Sequence, residues 1–322
     1  MIKTEQLTRN YGNYRGIFDL TMEIPPGKIF GFIGPNGAGK TTTIKLLCGL
    51  YRPTAGQAFI NGIPVDRRHR REIKRAIGYM PDHMGSYDQM SVWEYLDFFC
   101  AAYRVPKRQR KARVDEVLDL TAAAYMLDYQ VDSLSQGMGK RVALAKTLLH
   151  DPPVLILDEP ASGLDPRARI EMRETIMRLR ALGKTILLSS HILPELSSVC
   201  DLVGIVEKGR LRAFGTVRDM LARMREHIVL RVRVAEGGDA DRAADCCRGQ
   251  PHVKEALVAG DEVCINYVGP RTDIPGLNRY LVEQGVPVAS FMEDEGDLED
   301  AFLHVTREVD ATEGTPPKSP AS

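Results

Sequence analysis

The chain has 322 residues, enough for two domains that each bury a hydrophobic core. Lysine plus arginine and aspartate plus glutamate number 43 each, so the net charge gives no argument for a nucleic-acid partner. No apolar run reaches the roughly 18 residues of a membrane-spanning helix, and the N-terminus lacks a signal-peptide core. The cysteines form no C-x-x-C pair or zinc spacing, so we expect reduced thiols in a cytosolic protein.

Residues 1 to about 80 alternate short apolar segments with turns. Pro25, Pro26 and Gly27 form one such turn, and Asn61 and Gly62 form another. Apolar segments bounded in this way are typical of strands. The predicted strands are 2–4, 18–24, 29–33 and 57–60.

The pattern becomes helical from about residue 91 to residue 150. Ser91 and Glu94 have the spacing of a capping box at a helix N-terminus. Trp93, Leu96 and Phe99 recur along one helical face, which predicts that they pack in a core. A mostly helical insert thus separates two strand-rich segments.

Strands and helices alternate again after residue 150. Residues 154–157 are a continuous apolar run, as a parallel strand buried on both faces requires. A helix is predicted over 167–182, strands over 184–188 and 202–206, and a short helix after Thr216. This first domain is expected to close near residue 226.

A second, smaller unit is predicted from residue 227 to residue 309. Its segments follow the order β-α-β-β-α-β, which suggests a ferredoxin-like arrangement, and 298–305 adds a final helix. Residues 310–322 are rich in proline and polar residues, so we expect a disordered tail.

The run from Gly34 to Thr41 matches the phosphate-binding pattern G-x-x-x-x-G-K-[ST] at every fixed position. It lies between a predicted strand and a predicted helix, as that loop requires. Glycines let the backbone N–H groups approach an anion at the positive end of the helix. Lys40 can reach the β- and γ-phosphates, and the Thr41 hydroxyl can ligate Mg²⁺.

Two carboxylates follow the apolar strand at 154–157. Asp158 can hold Mg²⁺, directly or through water, as the second half of a phosphate-loop site. The adjacent Glu159 can polarise an attacking water as a general base. Such a pair is common after strands, but downstream of a phosphate loop it indicates a nucleotide-hydrolysing site.

Leu134-Ser135-Gln136-Gly137 lies between these two motifs. Together the segments resemble the ATP-binding cassette of ABC transporters over roughly residues 1–226, and most closely the exporter type that pairs with separate membrane subunits. The resemblance implies an α/β fold: a P-loop NTPase cassette of mixed sheet and flanking helices. A helical subdomain is expected at about 84–150, and a small α+β domain after the cassette.

The resemblance assigns further residues to an ATP site. Tyr11 matches the aromatic that stacks on adenine, with Tyr14 a less favoured candidate. Ser135 and Gly137 match the signature that binds the γ-phosphate held by the opposite subunit, although Gln136 and Met138 depart from the usual Leu-Ser-Gly-Gly-Gln. The remaining assignments are the loop residues Asn36, Gly37, Ala38, Gly39, Lys40, Thr41 and Thr42, Asp165 of the D-loop, and His191 as the switch histidine.

Asp82 stands where the family usually has glutamine. That glutamine touches Mg²⁺ or water and relays the nucleotide state to the membrane domain. Aspartate is shorter and charged, so it can act through a water or coordinate Mg²⁺ more strongly. We expect a variant of the site, with Asp82 as a candidate metal ligand beside Thr41 and Asp158.

The predicted function is therefore that of an ATPase subunit of an ABC exporter. Two cassettes, most simply two copies of this chain, would pair head-to-tail with Mg·ATP between them and drive a separate multi-helix permease. The chain would then be peripheral, at the cytoplasmic face of the membrane. Translation-type and DNA-repair cassettes are disfavoured because this chain has one cassette and no long coiled-coil insert, and a non-hydrolysing cassette because Lys40, Asp158, Glu159 and His191 are present.

Two basic clusters lie within this first domain, at residues 67–75 and 104–113. A solvated loop or helix face is the favoured interpretation of both, and contact with anionic lipid headgroups is the alternative. The apolar Met84, Tyr87 and Met90 lie between Asp82 and Ser135, where the family's cassettes receive their membrane partner.

Overall fold

The computed structural model describes residues 1–13, 15–83, 85, 89–190, 196, 198–224, 228–235 and 238–294, without the side chains of 221–224 and 294. The chain forms two compact units, Met1–Val217 and Arg218–Ser322. The predicted domain boundary lies slightly later, after residue 226.

The described residues of the first unit form ten strands, six α-helices and two short 3₁₀ helices. The strands are β1 (Ile2–Asn10), β2 (Gly16–Ile24), β3 (Ile29–Ile33), β4 (Ala55–Ile60), β5 (Ile63–Pro64), β6 (Ile77–Met80), β7 (Val154–Leu157), β8 (Thr185–Ser190), β9 (Leu202–Glu207) and β10 (Arg210–Thr216). The helices are α1 (Lys40–Leu47), α2 (Arg70–Ala76), α3 (Val92–Ala102), α4 (Lys107–Leu120), α5 (Gln136–Leu148) and α6 (Pro166–Ala181).

A six-stranded sheet in the order β10-β9-β3-β8-β7-β6 forms the centre of this unit. Its strands are parallel except for β10, which pairs antiparallel with β9. Strands β3, β7 and β8 are buried at every position. This explains their unbroken apolar sequence, because helices or a second sheet cover both faces of a parallel sheet.

A second sheet, antiparallel and four-stranded, has the order β2-β1-β4-β5. Its buried residues share one core cluster with the central sheet and with α1, including Leu20, Phe32 and Ile44. The predicted strand 2–4 is only the start of β1, which continues to Asn10. Strand β10 and helix α2 were not predicted as a strand and a helix.

Helices α3, α4 and α5 form the predicted helical segment. Ser91 and Glu94 make the predicted capping box at the start of α3, with both reciprocal hydrogen bonds present. The buried face of α3 contains Tyr95 and Leu96, whereas Trp93 and Phe99 are half-buried. The prediction that Trp93 and Phe99 are core residues is therefore wrong, because the buried stripe is rotated toward Tyr95.

The second unit has its own sheet, of order β12-β13-β11-β14, and its own core. All its strand pairs are antiparallel. Helix α7 (Val217–Met224) begins at the division between the units, and the predicted helix 298–305 and tail 310–322 lie outside the described residues. The remaining elements are β11 (Ile228–Val234), α8 (Ala240–Cys247), β12 (Val253–Ala259), β13 (Glu262–Tyr267), α9 (Ile274–Glu283) and β14 (Val288–Asp294).

None of the helices in the described part of the chain has the length and apolar character needed to span a bilayer.

Candidate nucleotide-binding site

The carboxyl ends of the parallel strands meet at one edge of the central sheet. Met80 at the end of β6 lies opposite Leu157 of β7, and Leu157 lies opposite Leu188 of β8. Ile33 at the end of β3 lies opposite Ser190. Open α/β sheets bind ligands just beyond this edge. The segments after β3, β6 and β7, which carry most of the predicted site residues, are therefore neighbours.

The loop between β3 and α1 uses its glycines for close approach and for left-handed backbone. Gly37 and Gly39 have φ values of 84° and 112°. A Cβ on Gly34 would lie 2.3 Å from the Val206 carbonyl oxygen, so this position excludes any side chain. Gly39 is the N-cap of α1 and offers no side chain to the first N–H groups of the helix. The helix terminus is thus exposed to a ligand.

Lys40 is 6% exposed. Its Nζ donates hydrogen bonds to the carbonyl oxygens of Gly34 at 2.5 Å and Pro35 at 3.3 Å. The same atom lies 3.5 Å from Glu159 Oε1. The lysine head therefore lies over the loop and faces the carboxylate predicted to be the general base.

Ser189 of β8 fixes the two carboxylate residues that follow β7. Its hydroxyl donates to Asp158 Oδ1 at 2.7 Å and accepts from the Glu159 N–H at 3.0 Å. Asp158 is 2% exposed, and Glu159 has a φ of 48°, in the left-handed region. This turn sends the consecutive side chains in different directions, so that both reach the cavity beside the loop. Ser189 was not predicted as a site residue, although it stands two residues before His191.

A cavity of about 320 Å³ lies between the loop and these carboxylates. Most of the predicted site residues line it, together with Arg15, Gly16 and Pro35, which were not predicted. Ala38 does not line the cavity: it is buried, and its carbonyl accepts the Gly209 N–H at 2.9 Å. The predicted residues that line it are Tyr11, Asn36, Gly37, Gly39, Lys40, Thr41, Thr42, Asp82, Asp158 and Glu159.

Tyr11 is the aromatic residue of this cavity. Its side chain is half-exposed, and the Arg9 guanidinium lies 4.9 Å from the ring centroid. An exposed aromatic ring at the edge of a cavity that can hold the phosphates of a nucleotide can stack on the base of that nucleotide. Tyr14, the less favoured candidate, lies outside the described residues.

Asp82 makes contacts that sequence analysis did not foresee. Lys140 Nζ donates to Asp82 Oδ1 at 2.9 Å and to the Asp82 carbonyl oxygen at 2.7 Å. His83 Nε2 lies 3.3 Å from the other carboxylate oxygen. Asp82 therefore lines the cavity as part of an ion pair.

Ser135, Gly137 and Asp165 do not line this cavity. Ser135 is the N-cap of α5 and accepts the Met138 N–H. A Cβ on Gly137 would lie 3.6 Å from Leu164, in ordinary contact distance. Asp165 caps α6 by accepting the N–H groups of the two residues that follow Pro166. His191, Met84 and Tyr87 lie outside the described residues.

The oxygen donors at this cavity fit a magnesium ion. The Asp158 carboxylate and the Thr41 hydroxyl face the same space, and Mg²⁺ is usually held by one or two such groups plus substrate phosphates. Across the described residues no cluster of three or more Asp, Glu, His or Cys forms a self-sufficient metal site. A metal here would thus be held jointly with a nucleotide.

The sheet, the loop and the cavity define a P-loop nucleotide-binding cassette. The family model described as ABC transporter matches residues 17–162. The chain is 34% identical to the bacitracin transport ATP-binding protein BcrA of Bacillus licheniformis, over 94% of this chain and 96% of that protein. It is 32% identical to Nod factor export ATP-binding protein I of Rhizobium meliloti, over 95% of this chain and 88% of that one. The chain belongs to the ABC transporter ATP-binding family, whose members are ATPases.

Other relatives match the cassette portion. An uncharacterized ABC transporter ATP-binding protein of Nostoc is 39% identical over 62% of this chain, which spans 60% of that relative's length. The solved structure of cbiO1 from Clostridium perfringens, part of the transporter complex cbiONQ, superposes with a TM-score of 0.63 at 29% identity, covering 69% of this chain and 90% of that one. A dimeric bacterial ABC transporter cassette shares the fold, with a TM-score of 0.62 at 23% identity over 68% and 99% of the two chains.

Proposed function

We propose that this chain binds Mg·ATP in the cavity beside the phosphate loop and hydrolyses it as the ATPase subunit of an ABC exporter. One observation carries the proposal. Lys40 and Thr41 come from the phosphate loop, Asp158 and Glu159 come from the motif after β7, and all four line one cavity with an aromatic ring at its rim. This set supplies phosphate contacts, metal ligands and a base, which are the parts that phosphoryl transfer to water needs.

Each side chain has a distinct proposed role. Lys40 and the N–H groups at the start of α1 hold the β- and γ-phosphates. Thr41 and Asp158 hold Mg²⁺, which neutralises charge that develops on the phosphate oxygens. Glu159 orients and deprotonates the attacking water. Tyr11 stacks on the adenine. His191 is proposed as the switch histidine on the sequence motif alone.

The proposed working unit is a head-to-tail pair of cassettes. Ser135 and Gly137 lie at a helix N-terminus that does not face this chain's own phosphate loop. A second cassette can bring that terminus to the γ-phosphate. A bacterial cassette that shares this fold has been solved as a dimer, so pairing of two cassettes is compatible with the fold. Two copies of this chain would satisfy it.

A groove of about 860 Å³ is the proposed docking surface for the membrane subunit. Phe99, Tyr103 and Tyr79 form part of its apolar wall. Its charged lining residues are all cations, and none has a carboxylate partner among the ion pairs of the described residues. A partner segment with apolar and acidic side chains would complement this surface. These cations are Arg71, Lys74, Arg75, Arg104 and Lys146, so the basic clusters both contribute.

Export is the proposed direction of transport. The relatives that this chain covers almost completely include proteins named for Nod factor export and for linearmycin resistance. Both names fit a subunit that drives a substrate out of the cell. The substrate itself would be bound by the membrane subunit.

Recovery of the partner from native membranes tests this proposal. A tagged chain, solubilised in mild detergent, is expected to bring down a multi-helix membrane protein with two cassettes per complex. The purified complex should release phosphate from Mg·ATP, and the Arg71→Glu/Lys74→Glu variant should recover less partner. Recovery of ribosomes or nucleic acid without a membrane protein would contradict the transporter assignment.

A further inference from the structure

Lys140 is a buried lysine whose charge is fully engaged. Its side chain is 6% exposed, and its Nζ donates hydrogen bonds to Asp82 Oδ1, the Asp82 carbonyl and the Glu159 carbonyl at 2.9, 2.7 and 2.8 Å. Burial of a cation is costly unless it is paired and hydrogen-bonded. These acceptors therefore fix the lysine head, and the lysine head in turn fixes them.

The acceptors of Lys140 belong to two turns of the nucleotide cavity. Asp82 follows β6, Glu159 follows β7, and both line the cavity. Lys140 itself lies in α5, five residues after its N-cap Ser135. At about 1.5 Å per residue, the lysine is within roughly 8 Å of that terminus along the helix axis. One side chain thus links the cavity to the helix end predicted to serve the opposite subunit.

A second contact holds the same helix turn to the same segment. Gln136 lies one turn before Lys140, and a Cβ on Gly163 would lie 2.2 Å from Gln136 Nε2. Gly163 has a φ of 73°, a left-handed backbone conformation that residues with a side chain rarely adopt. The amide side chain of Gln136 packs directly on this glycine. Gln136 and Lys140 together hold the start of α5 against residues 159–163.

We propose that Lys140 is a positioning residue, which makes Ser135 and Gly137 move with the Asp82 and Glu159 turns of the same subunit. A nucleotide that shifts either turn would thereby set the orientation of the α5 terminus toward the opposite subunit's phosphate. This inference rests on the proposed head-to-tail dimer. It also gives Asp82 a task besides metal binding, because its charge balances that of Lys140.

Lys140→Gln and Asp82→Asn test the link in a Glu159→Gln background, in which ATP-bound dimers should accumulate. Calorimetry measures ATP affinity, and analytical ultracentrifugation measures ATP-driven dimerisation. We expect Lys140→Gln to leave ATP affinity within about threefold while weakening dimerisation about tenfold, which corresponds to a coupling of roughly 1.4 kcal/mol. The Lys140→Gln/Asp82→Asn double variant should dimerise as strongly as Lys140→Gln alone, because each change removes the same ion pair.

Two further variants separate positioning from general stability. Lys140→Arg keeps a cation that can donate to the same acceptors, and should recover most of the dimerisation. Lys184 makes a matched control: its side chain is 13% exposed, its Nζ lies 2.5 Å from Asp151 Oδ1, and it precedes β8 at the end opposite Ser189. Lys184→Gln should leave both ATP affinity and dimerisation unchanged.

Unaltered dimerisation in Lys140→Gln would overturn the proposal. Losses of ATP affinity and of dimerisation by a similar factor, together with a lower melting temperature, would also overturn it. That result would indicate a merely structural lysine. If Lys140→Gln does not fold, Asp82→Asn decides alone, because the Asp82 side chain is 37% exposed and its amide replacement keeps the shape. Absence of ATP-driven dimers in the parent would instead refute the dimeric function on which the inference rests.

Discussion

The N-termini of α1 and α5 both present backbone N–H groups that can bind an anion, but their surroundings differ. Helix α1 begins after Gly39, which has no capping side chain, and its terminus faces a cavity with Lys40, Asp158 and Glu159. Helix α5 begins after Ser135, whose own hydroxyl accepts the Met138 N–H at 3.4 Å. Exposed N–H groups attract phosphate in both cases. Only the α1 terminus, of these two, follows a phosphate loop and lines the cavity of Lys40, Asp158 and Glu159, whereas the α5 terminus lines a separate cavity with Asp82, His83 and Lys140.

This difference indicates how the work is divided within one chain. The α1 side holds the residues proposed to bind phosphate and metal and to act as the base, whereas the α5 side offers N–H donors without a phosphate loop opposite them. A terminus of that kind gains a function when another molecule brings the phosphate. The comparison therefore predicts that chemistry depends on residues of the α1 cavity, and that assembly depends on the start of α5.

The largest effect is expected from Glu159→Gln. If Glu159 is the general base, its loss should slow hydrolysis by about 10²–10⁴-fold while ATP still binds. The isosteric amide keeps the backbone bonds of Glu159 to Ser189 and Lys140. Steady-state phosphate release and ATP titration by calorimetry give the two quantities.

Glu116→Gln is the control for that variant. Glu116 lies on α4, and its side chain is 57% exposed and pairs with Arg113. Its loss should leave hydrolysis unchanged, because it does not line the cavity. Parent-like turnover in Glu159→Gln would remove the base from the α1 cavity and with it one side of the comparison.

An intermediate effect is expected when two inactive variants are mixed. Lys40→Ala removes the phosphate lysine of the α1 side, and Ser135→Arg blocks the exposed α5 terminus. In a head-to-tail dimer, each mixed pair keeps one intact composite site. Random pairing should therefore restore about a quarter of the parent activity, measured as phosphate release.

A second mixture controls for this result. Lys40→Ala and Glu159→Gln both damage the α1 side, so no mixed pair has an intact site, and mixing them should restore nothing. If Lys40→Ala with Ser135→Arg also stays inactive while each variant folds and dimerises, the two termini do not serve one shared site.

The cavity was predictable where its residues are adjacent in sequence. The loop from Gly34 to Thr41 and the pair Asp158-Glu159 carry their strand, turn and chemistry within a few positions. Ser189 and Lys140 could not be found in this way, because each acts on residues at least 19 positions away. No local spacing reports such a contact.

The bounds of strands and helices were likewise harder to predict than their existence. The predicted strand 2–4 stops early because β1 has register shifts after Thr4, and Gln6 has a φ of 47°, which breaks the alternation of buried and exposed residues. The sequence pattern predicts a helix from Asn278 to Gln284, whereas α9 begins at Ile274 with Pro275 in its first turn, where proline is favoured.

The smallest effect on hydrolysis is expected at the far end of α5, where the titratable His150 lines the proposed docking groove and not the nucleotide cavity. His150 follows the helix, stacks on Tyr103 with ring centroids 4.2 Å apart, and its Nε2 lies 3.0 Å from the Ile77 carbonyl. Burial lowers the pKa of His150, so the unfolded chain takes up its proton first. Stability supplied by neutral His150 is therefore present at neutral pH and declines as pH falls from about 7 toward about 5.

His150→Gln isolates this contribution. The variant should lose about 1 kcal/mol at neutral pH, because one hydrogen bond and a stacking contact are weakened. Its stability should then fall less steeply between about pH 7 and about pH 5, since the titrating group is gone. Urea unfolding followed by tryptophan fluorescence at several pH values gives both numbers, and Trp93 on α3 is the reporter. The rate of ATP hydrolysis per folded molecule of the isolated chain should be unchanged, in contrast to changes at the α5 N-terminus. Equal pH slopes for parent and variant would show that His150 does not titrate with unfolding, and a fall in hydrolysis would show that the far end of α5 also affects the nucleotide site.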